Sequence, residues 1–500
     1  MRKRIINNRV FSRWQILFLV ICPSFILFSG CSSGTSGNGE KTVVFKNASV
    51  IDAVNGQRNM QNIIVKGNRI IEAGAATEVM VPPDADIIDC SGKFMIPGLW
   101  DAHAHLTNDD AMMPDLFPLL IANGILYIRD TGATLESILP LRENAEEARR
   151  LKGMAPQIYI TGPHIDGLNL SWKSSVGAGT ISQVQSILKT LMDVKVNELK
   201  VYDLIPRDVA LEVFSFARNN NIPLSAHVPL AMDVVEASNA GLKSMEHMYN
   251  LEMSCSSDWD SLLTERRRMI DENPDMSGQL LRESIYRAQR LHSFKTQDEE
   301  RRSTVLETLA ENGTRLVPTL AIIAQDAHRM FARNEWTETF RYLPEPIKTR
   351  WKEEAVRRTQ QTPTEEGLAH SAWAYDMVKI ASETGIDIMA GTDMPLSLLT
   401  PGFSLHEELI LLTDAGLTPL QAIESATLKP AQYFGIENQQ GSIAAGMMAD
   451  LILLDANPLD DIRNTLKINA VMANGHLHKR EVLDAILLQL ENPKEKNSEN

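Results

Sequence analysis

The sequence predicts an α/β protein: a (β/α)8 TIM barrel carrying a small β-sandwich domain built from both ends of the chain. Three observations predict it. Short apolar strands alternate with amphipathic helices eight times through the middle of the chain. Strand-like text broken by Gly and Asn turns flanks that middle on both sides. The length of 500 residues exceeds one simple core but suits a barrel with an accessory domain.

Residues 1–30 read as a lipoprotein signal peptide. Arg2, Lys3, Arg4, Arg9 and Arg13 form a basic region without acids, and the apolar run from Ile16 to Phe28 is short for a membrane span and broken by Pro23. The run ends in "FSGC", small residues directly before Cys31, which resembles the bacterial lipobox. Cys31 is therefore the expected lipidation site and the chain's expected membrane attachment. Ser32, which follows it, lacks the acidic retention signal of some bacteria. The expected localisation is the cell envelope, facing the periplasm from the outer membrane. Residues 31–41 then read as a flexible tether. Loss of the signal takes five basic residues from a chain whose formal net charge is already −15. That excess of acid argues against nucleic acid and against an electrostatic grip on anionic lipid. Of four cysteines, Cys22 leaves with the signal and Cys31 carries lipid. Cys90 and Cys255 form no disulfide framework; they are expected as two separate buried thiols, with one bridge in an oxidising periplasm the alternative.

Residues 42–96 form the first part of the small β domain and residues 438–484 the second, with a polar tail over 485–500. The barrel occupies 97–437. Its eight strands are "MIPGLWDAHAH" ending at His105, "ILYIRD" (125–130), "QIYIT" (157–161), "ELKVYD" (198–203), "IPLSAHV" (222–228), "LKSMEHM" (242–248), "TRLVPTL" (314–320) and "IDIMAGTD" (386–393). Two connections are long. Residues 249–313 and 321–385 are charged and helical in pattern, and such insertions after strands six and seven are expected to cap the barrel mouth.

The chemistry lies at the strand ends. His103 and His105 are two residues apart on strand one, so both imidazoles face the same way, a metal-ligand arrangement. Strand four carries Lys200, strand five His227, strand six His247 and strand eight Asp393. C-terminal strand ends of a (β/α)8 barrel converge on one site, so these six groups are expected to meet there. Each alone has a plainer reading as a satisfied core or surface group; the conjunction favours the site. His292, His328, His370 and His406 lie in helical stretches and His476 and His478 in the terminal sheet, all read as structural. Asp101, Arg129 and Asp130 are candidates for orienting the ligands. Tyr202, His164 and Tyr249 are candidate substrate contacts.

"PGLWDAHAHL" (Pro97–Leu106) resembles the amidohydrolase superfamily signature, "IPLSAHVP", "GLKSMEHM" and "IMAGTDMP" its later ligand strands, and "TPLQAIESATLKPAQYFGI" with "GSIAAGMMADLILLDANPL" its C-terminal helix and returning sheet. The resemblance runs from Thr42 to Arg480 and is closest to the prolidase and imidazolonepropionase-like branch. It implies two divalent metal ions, with zinc suited to the ligand types. His103, His105 and Asp393 would hold one ion and His227 and His247 the other. A carbamylated Lys200 would bridge both. It implies a small-molecule substrate such as an N-acyl amino acid or dipeptide, cleaved at a C–N bond with Asp393 moving the proton. An ester or lactone hydrolase on the same centre is the alternative, and a non-catalytic binding lipoprotein the alternative of another class. A deaminase fits less well, because "HVPLAMD" lacks the glutamate that branch places soon after the strand-five histidine. Oligomeric state, a homo-oligomer included, is left open.

Overall fold

A computed structural model describes residues 41–109 and 112–492. The signal, nearly all of the tether with Cys31, and residues 493–500 lie outside the described residues.

The first strands follow the alternation read from the sequence: β1 (Thr42–Asp52), β2 (Gly56–Lys66), β3 (Arg69–Ala75), β4 (Asp86–Asp89) and β5 (Phe94–Pro97). β1 pairs antiparallel with β2 and parallel with β4 and β5. The chain then leaves for the middle region and returns as β15 (Leu451–Leu454), β16 (Ile468–Ala473) and β17 (His476–Lys479). β15 pairs antiparallel with β5, so both ends of the chain share one eight-stranded sheet. All eight strands are hydrogen-bonded into one sheet, and one apolar cluster takes Phe45, Ile63 and Ile70 from its first strands and Leu451 and Met472 from its last. The backbone bond from Ile70 N–H to the Met447 carbonyl, at 2.9 Å, brings the β3 edge against the residues leading into β15.

The middle region holds parallel strands: β6 (Leu99–Ala104), β7 (Ile125–Asp130), β8 (Gln157–Ile160), β9 (Ile165–Asp166), β10 (Val176–Gly177), β11 (Leu199–Val201), β12 (Leu224–Ala226), β13 (Ser244–Glu246) and β14 (Arg315–Val317). They form a three-stranded sheet in the order β6-β7-β8 and a six-stranded one in the order β10-β9-β11-β12-β13-β14. Fully buried strands of this kind read as near-continuous apolar runs, and β7 is buried at every position. The predicted eighth strand is irregular. Residues 386–394 lie between β14 and β6: Leu316 N–H donates to the Asp387 carbonyl, Met389 N–H to Leu316, and Ala102 N–H to Ala390. Asp393, at φ 67°, ends any regular ladder there. On the other side, Asn197 N–H donates to the Ile160 carbonyl, next to β8.

Helices cover the strands. Leu135–Lys152 is capped by the Thr134 hydroxyl and stopped at Gly153, whose φ of 62° suits a residue without Cβ. The first long connection folds into helices that include Trp259–Glu272, Gly278–Lys295 and Glu299–Glu311. The second includes Glu345–Thr359 and Glu365–Glu383. The expected polar tail is corrected in part: Arg480–Glu491 is a helix that buries Leu483 and Leu490. Asp450 ties the small sheet to the middle region, accepting from Arg149 at 2.6 Å and from the Tyr127 hydroxyl. Cys90 and Cys255 are free, buried thiols. No helix among the described residues is long and apolar enough to cross a membrane.

Candidate metal centre

The parallel register sets neighbouring strands in step. Lys200 lies opposite Ser225 and Ser225 opposite Ser244, so the residues just beyond, Tyr202, His227 and Glu246–His247, emerge together at the strand ends. His103 and His105 emerge from β6 and Asp393 from the segment beside it. The six predicted ligand residues are all buried.

The histidine rings form a connected set. His103 lies 4.5 Å from His247 and 5.3 Å from His105, centroid to centroid, and His247 lies 4.7 Å from His227. In each ring Nδ1 is engaged by an orienting group. His103 Nδ1 meets Glu246 Oε2 at 2.5 Å, His105 Nδ1 the Gly132 carbonyl at 3.2 Å, His227 Nδ1 Asp203 Oδ2 at 3.4 Å, and His247 Nδ1 Thr319 Oγ1 at 2.8 Å. With Nδ1 engaged, Nε2 is the nitrogen each of the four rings has left to offer a metal, the usual arrangement behind metal-binding histidines. Asp393 Oδ1 sits 3.1 Å from His105 Nε2 and 3.4 Å from His103 Nε2. His103, His247 and Asp393 each offer a ligand atom within 4.8 Å of the others. Two of the three have strained backbones: His247 has φ 58° and Asp393 φ 67°, conformations that cost energy in residues other than glycine.

Three buried polar atoms test the fit of a metal group. Lys200 Nζ, His103 Nε2 and Asp393 Oδ1 have no hydrogen-bond partner, and buried polar groups are seldom left so. A cation satisfies the nitrogen and carboxylate lone pairs. It does not satisfy an ammonium, so Lys200 fits only once its charge is removed. Burial lowers the Lys200 ammonium to about 8, with Arg129 acting in the same direction and Glu246 and Glu198 opposing. Glu198, two residues before Lys200 and also buried, shows the contrast. It takes two bonds of 2.8 Å from the Arg129 guanidinium and one from the Tyr433 hydroxyl, while Lys200 takes none. Burial favours the neutral form of His227 and His247, which sit well below the usual imidazole range. Burial works against the charged Asp393, but the neighbouring His103 and His105 imidazoles outweigh it and hold the carboxyl well below its usual value.

The three predicted orienting residues are all engaged. Arg129 donates at 2.7 Å to Glu246 and at 2.8 Å to the Ala102 carbonyl. Asp101 accepts from the Thr392 hydroxyl at 2.6 Å and from the His103 amide at 3.2 Å. Asp130 accepts from the Leu106 amide at 2.8 Å. The candidate substrate contacts line the same site. Tyr202 stacks 4.2 Å from His227 and 4.4 Å from His164, and Tyr249 lies 4.9 Å from His247. The structure adds residues the sequence reading passed over: Glu198, Asp203, Glu246 and Thr319. A signal existed for the acids. Glu198 and Asp203 flank Lys200 in an apolar strand, and Glu246 precedes His247 in another, where a carboxylate needs a buried partner. Two glycines make room. A Cβ on Gly391 would lie 2.7 Å from His103 N, and one on Gly132 would lie 1.9 Å from His164 Nε2.

These features define a class: an α/β protein whose parallel strand ends gather a histidine-rich set of groups that could hold a metal ion. The chain belongs to the amidohydrolase family, whose sequence model matches residues 94–477. Curated relatives align over short stretches. Adenine deaminase 3 of Rhizobium meliloti (strain 1021) is 35% identical over 118 residues, 22% of this chain and 20% of that protein. N-substituted formamide deformylase of Arthrobacter pascens is 40% identical over 67 residues, 13% of this chain and 12% of that protein. The matched stretches thus span a fifth or less of these two relatives. Solved structures align over nearly the whole fold. A Xaa-Pro dipeptidase with bound methionine has TM-score 0.63 at 18% identity, covering 88% of this chain and 100% of that one. Bottromycin amidohydrolase has TM-score 0.67 at 22% identity, covering 90% of this chain and 89% of that one.

Proposed function

We propose that the protein is a binuclear metal-dependent amidohydrolase that cleaves the C–N bond of a small substrate such as an N-acyl amino acid or dipeptide. The observation that carries this reading is the cluster of four buried histidines, each engaged at Nδ1, around unpartnered Lys200 Nζ and Asp393 Oδ1. The nine parallel strands and residues 386–394 fit a closed (β/α)8 barrel, with the site at its C-terminal mouth and the insertions as its cap.

His103, His105 and Asp393 would hold one divalent ion and His227 and His247 the second, with zinc suited to these donors. Lys200 would bridge them as a carbamate. Its neutral amine would add to carbon dioxide, forming one N–C bond as one C=O π bond opens and releasing one proton, and the product's two oxygens would share one negative charge. When bound, the ions supply Lewis acidity toward the substrate carbonyl and an attacking water. The Asp393 carboxylate, ionised and beside His105, would take the proton from the attacking water and pass it to the leaving nitrogen. Asp101 and Thr392 fix the backbone that carries Asp393, because Thr392 donates both its amide and its hydroxyl to Asp101. Tyr202, Tyr249 and His164 line the site with aromatic surface and polar tips for an acyl or carboxylate group.

The N-terminal sequence supports a lipid anchor at Cys31 and a periplasm-facing place in the cell envelope, on the outer membrane. The adenine deaminase likeness favours a second reading, removal of ammonia from a purine, and an ester or lactone could be cleaved on the same centre. A screen of the zinc-loaded chain against dipeptides, N-acyl amino acids, esters and adenine separates them. Amide cleavage that fails with chelator supports the leading reading. Ammonia released from adenine without amide cleavage contradicts it.

A further inference from the structure

We propose that Arg282 and Tyr286, which belong to the first insertion, are positioning residues for the metal site: they hold the Asp203 carboxylate, and Asp203 aims His227. The inference rests on His227 being a metal ligand.

Asp203 follows β11 and is fully buried. Its Oδ2 faces His227 Nδ1 at 3.4 Å and Arg282 Nε at 2.7 Å, and its Oδ1 accepts from the Tyr286 hydroxyl at 3.4 Å. Its backbone carbonyl accepts from Leu230 N–H at 2.8 Å, which ties the loop after β11 to the loop after β12 that carries His227. A buried carboxylate needs a cationic or strongly donating partner. Among the described residues no strand cation pairs with Asp203 this closely; Arg282 of the helix Gly278–Lys295 does. Arg282 and Tyr286 are four residues apart, so they share one face of that helix. The Arg282 guanidinium lies 5.3 Å from the Tyr249 ring centroid and 5.3 Å from that of Tyr286, which fixes its position beside the site. Arg290, two turns on, lies over the same two rings but pairs with Glu252 and Glu366 instead.

The insertion therefore does more than cover the site. Without Arg282, Asp203 loses its nearest charged partner and the His227 ring loses a fixed acceptor at Nδ1. Loss of such an orienting contact typically weakens metal binding about 10–100-fold. The test is zinc affinity of the full chain, measured by competition with a chromophoric chelator, and the visible spectrum of the cobalt-loaded chain. The variants are Arg282→Met, Arg282→Lys, Tyr286→Phe and Arg290→Met, each checked for native circular dichroism.

The wild type is expected to take up about two equivalents. Arg282→Met is expected to keep the tighter equivalent, to bind the weaker about 10–100-fold less well, and to change the cobalt spectrum. Arg282→Lys recovers part of the loss, Tyr286→Phe shows a smaller one, and Arg290→Met matches the wild type. Unchanged affinity in Arg282→Met, or an equal loss in Arg290→Met, overturns the inference while leaving the metal centre intact. A wild type that binds no metal overturns the metal-centre reading and this inference with it. If Arg282→Met does not fold, Tyr286→Phe decides: a weaker second equivalent supports the proposal and an unchanged one overturns it.

Discussion

Replacing Glu246 by Gln should weaken metal binding by changing which nitrogen of His103 carries the proton. Glu246 is fully buried and accepts on both oxygens. Oε1 takes Arg129 at 2.7 Å and Ser244 Oγ at 2.6 Å, and Oε2 takes His103 Nδ1 at 2.5 Å. Burial alone would favour the neutral acid, but Arg129, Lys200 and His103 outweigh it and hold the carboxyl well below its usual value. As a carboxylate it fixes the His103 proton on Nδ1 and leaves Nε2 bare. Glutamine has one acceptor and one donor end. With its oxygen kept on Arg129 and Ser244, its amide N–H meets His103 Nδ1, which then must accept. The ring proton moves to Nε2, the atom that faces Asp393 at 3.4 Å. That proton must be displaced before the ring can ligate. The expected loss is about 10–100-fold in metal affinity, or about 1.4–2.8 kcal/mol. Arg129 keeps both its bonds to Glu198, so the fold should survive. Glu246→Ala, which leaves the cation half-paired, should cost about 3–5 kcal/mol of stability as well. Zinc competition against a chelator, with urea unfolding of the metal-free chain alongside, reads both numbers. Equal zinc affinity in Glu246→Gln and wild type would refute the reasoning.

Other expectations follow from the same geometry. Lys200→Ala should deplete metal and abolish hydrolysis, with partial recovery in short carboxylic acids that supply the missing oxygens; retention of full metal and activity would contradict the bridging role. Gly391→Ala places a Cβ 2.7 Å from His103 N and 2.7 Å from Val317 Cγ1, and should cost about 1–3 kcal/mol by overpacking while moving Asp393 away from the histidines. Urea midpoints and metal content measure the two effects. Burial pushes the His406 imidazole down to about 4. The folded chain therefore resists a proton that the unfolded chain accepts near its ordinary value, so stability is lost as pH falls from about 6.5 to about 4, by about 3 kcal/mol in all. His406→Gln should remove that part of the difference in unfolding free energy between pH 7 and pH 4.

Much of the candidate site was legible because its residues are polar groups at the ends of apolar strands. His103 and His105 share a face by their spacing, and Lys200 stood out because an ammonium in "ELKVYD" has no cheap reason to be there. The strand limits were legible for "ILYIRD", which β7 matches at both ends, since a buried parallel strand shows as an unbroken apolar run. "IDIMAGTD" was harder to read. Its apolar content marked a buried segment, but Gly391 and Asp393 depart from a regular ladder for reasons that lie in the neighbouring strand. The orienting carboxylates were visible as residues but not as pairs. Glu246 and Arg129 are 117 positions apart in the chain, and only the fold shows which buried charge answers which. The helix Arg480–Glu491 was missed because its apolar stripe, with Leu483 and Leu490 inward, is thin within polar text.

The central claim is that six buried side chains form a binuclear metal site. Metal content of the purified wild-type chain, loaded with zinc and desalted, tests it most directly, with Lys200→Ala as its partner. The site predicts about two equivalents in the wild type and a clear loss in the variant. A correctly folded wild type that retains no divalent metal would contradict it.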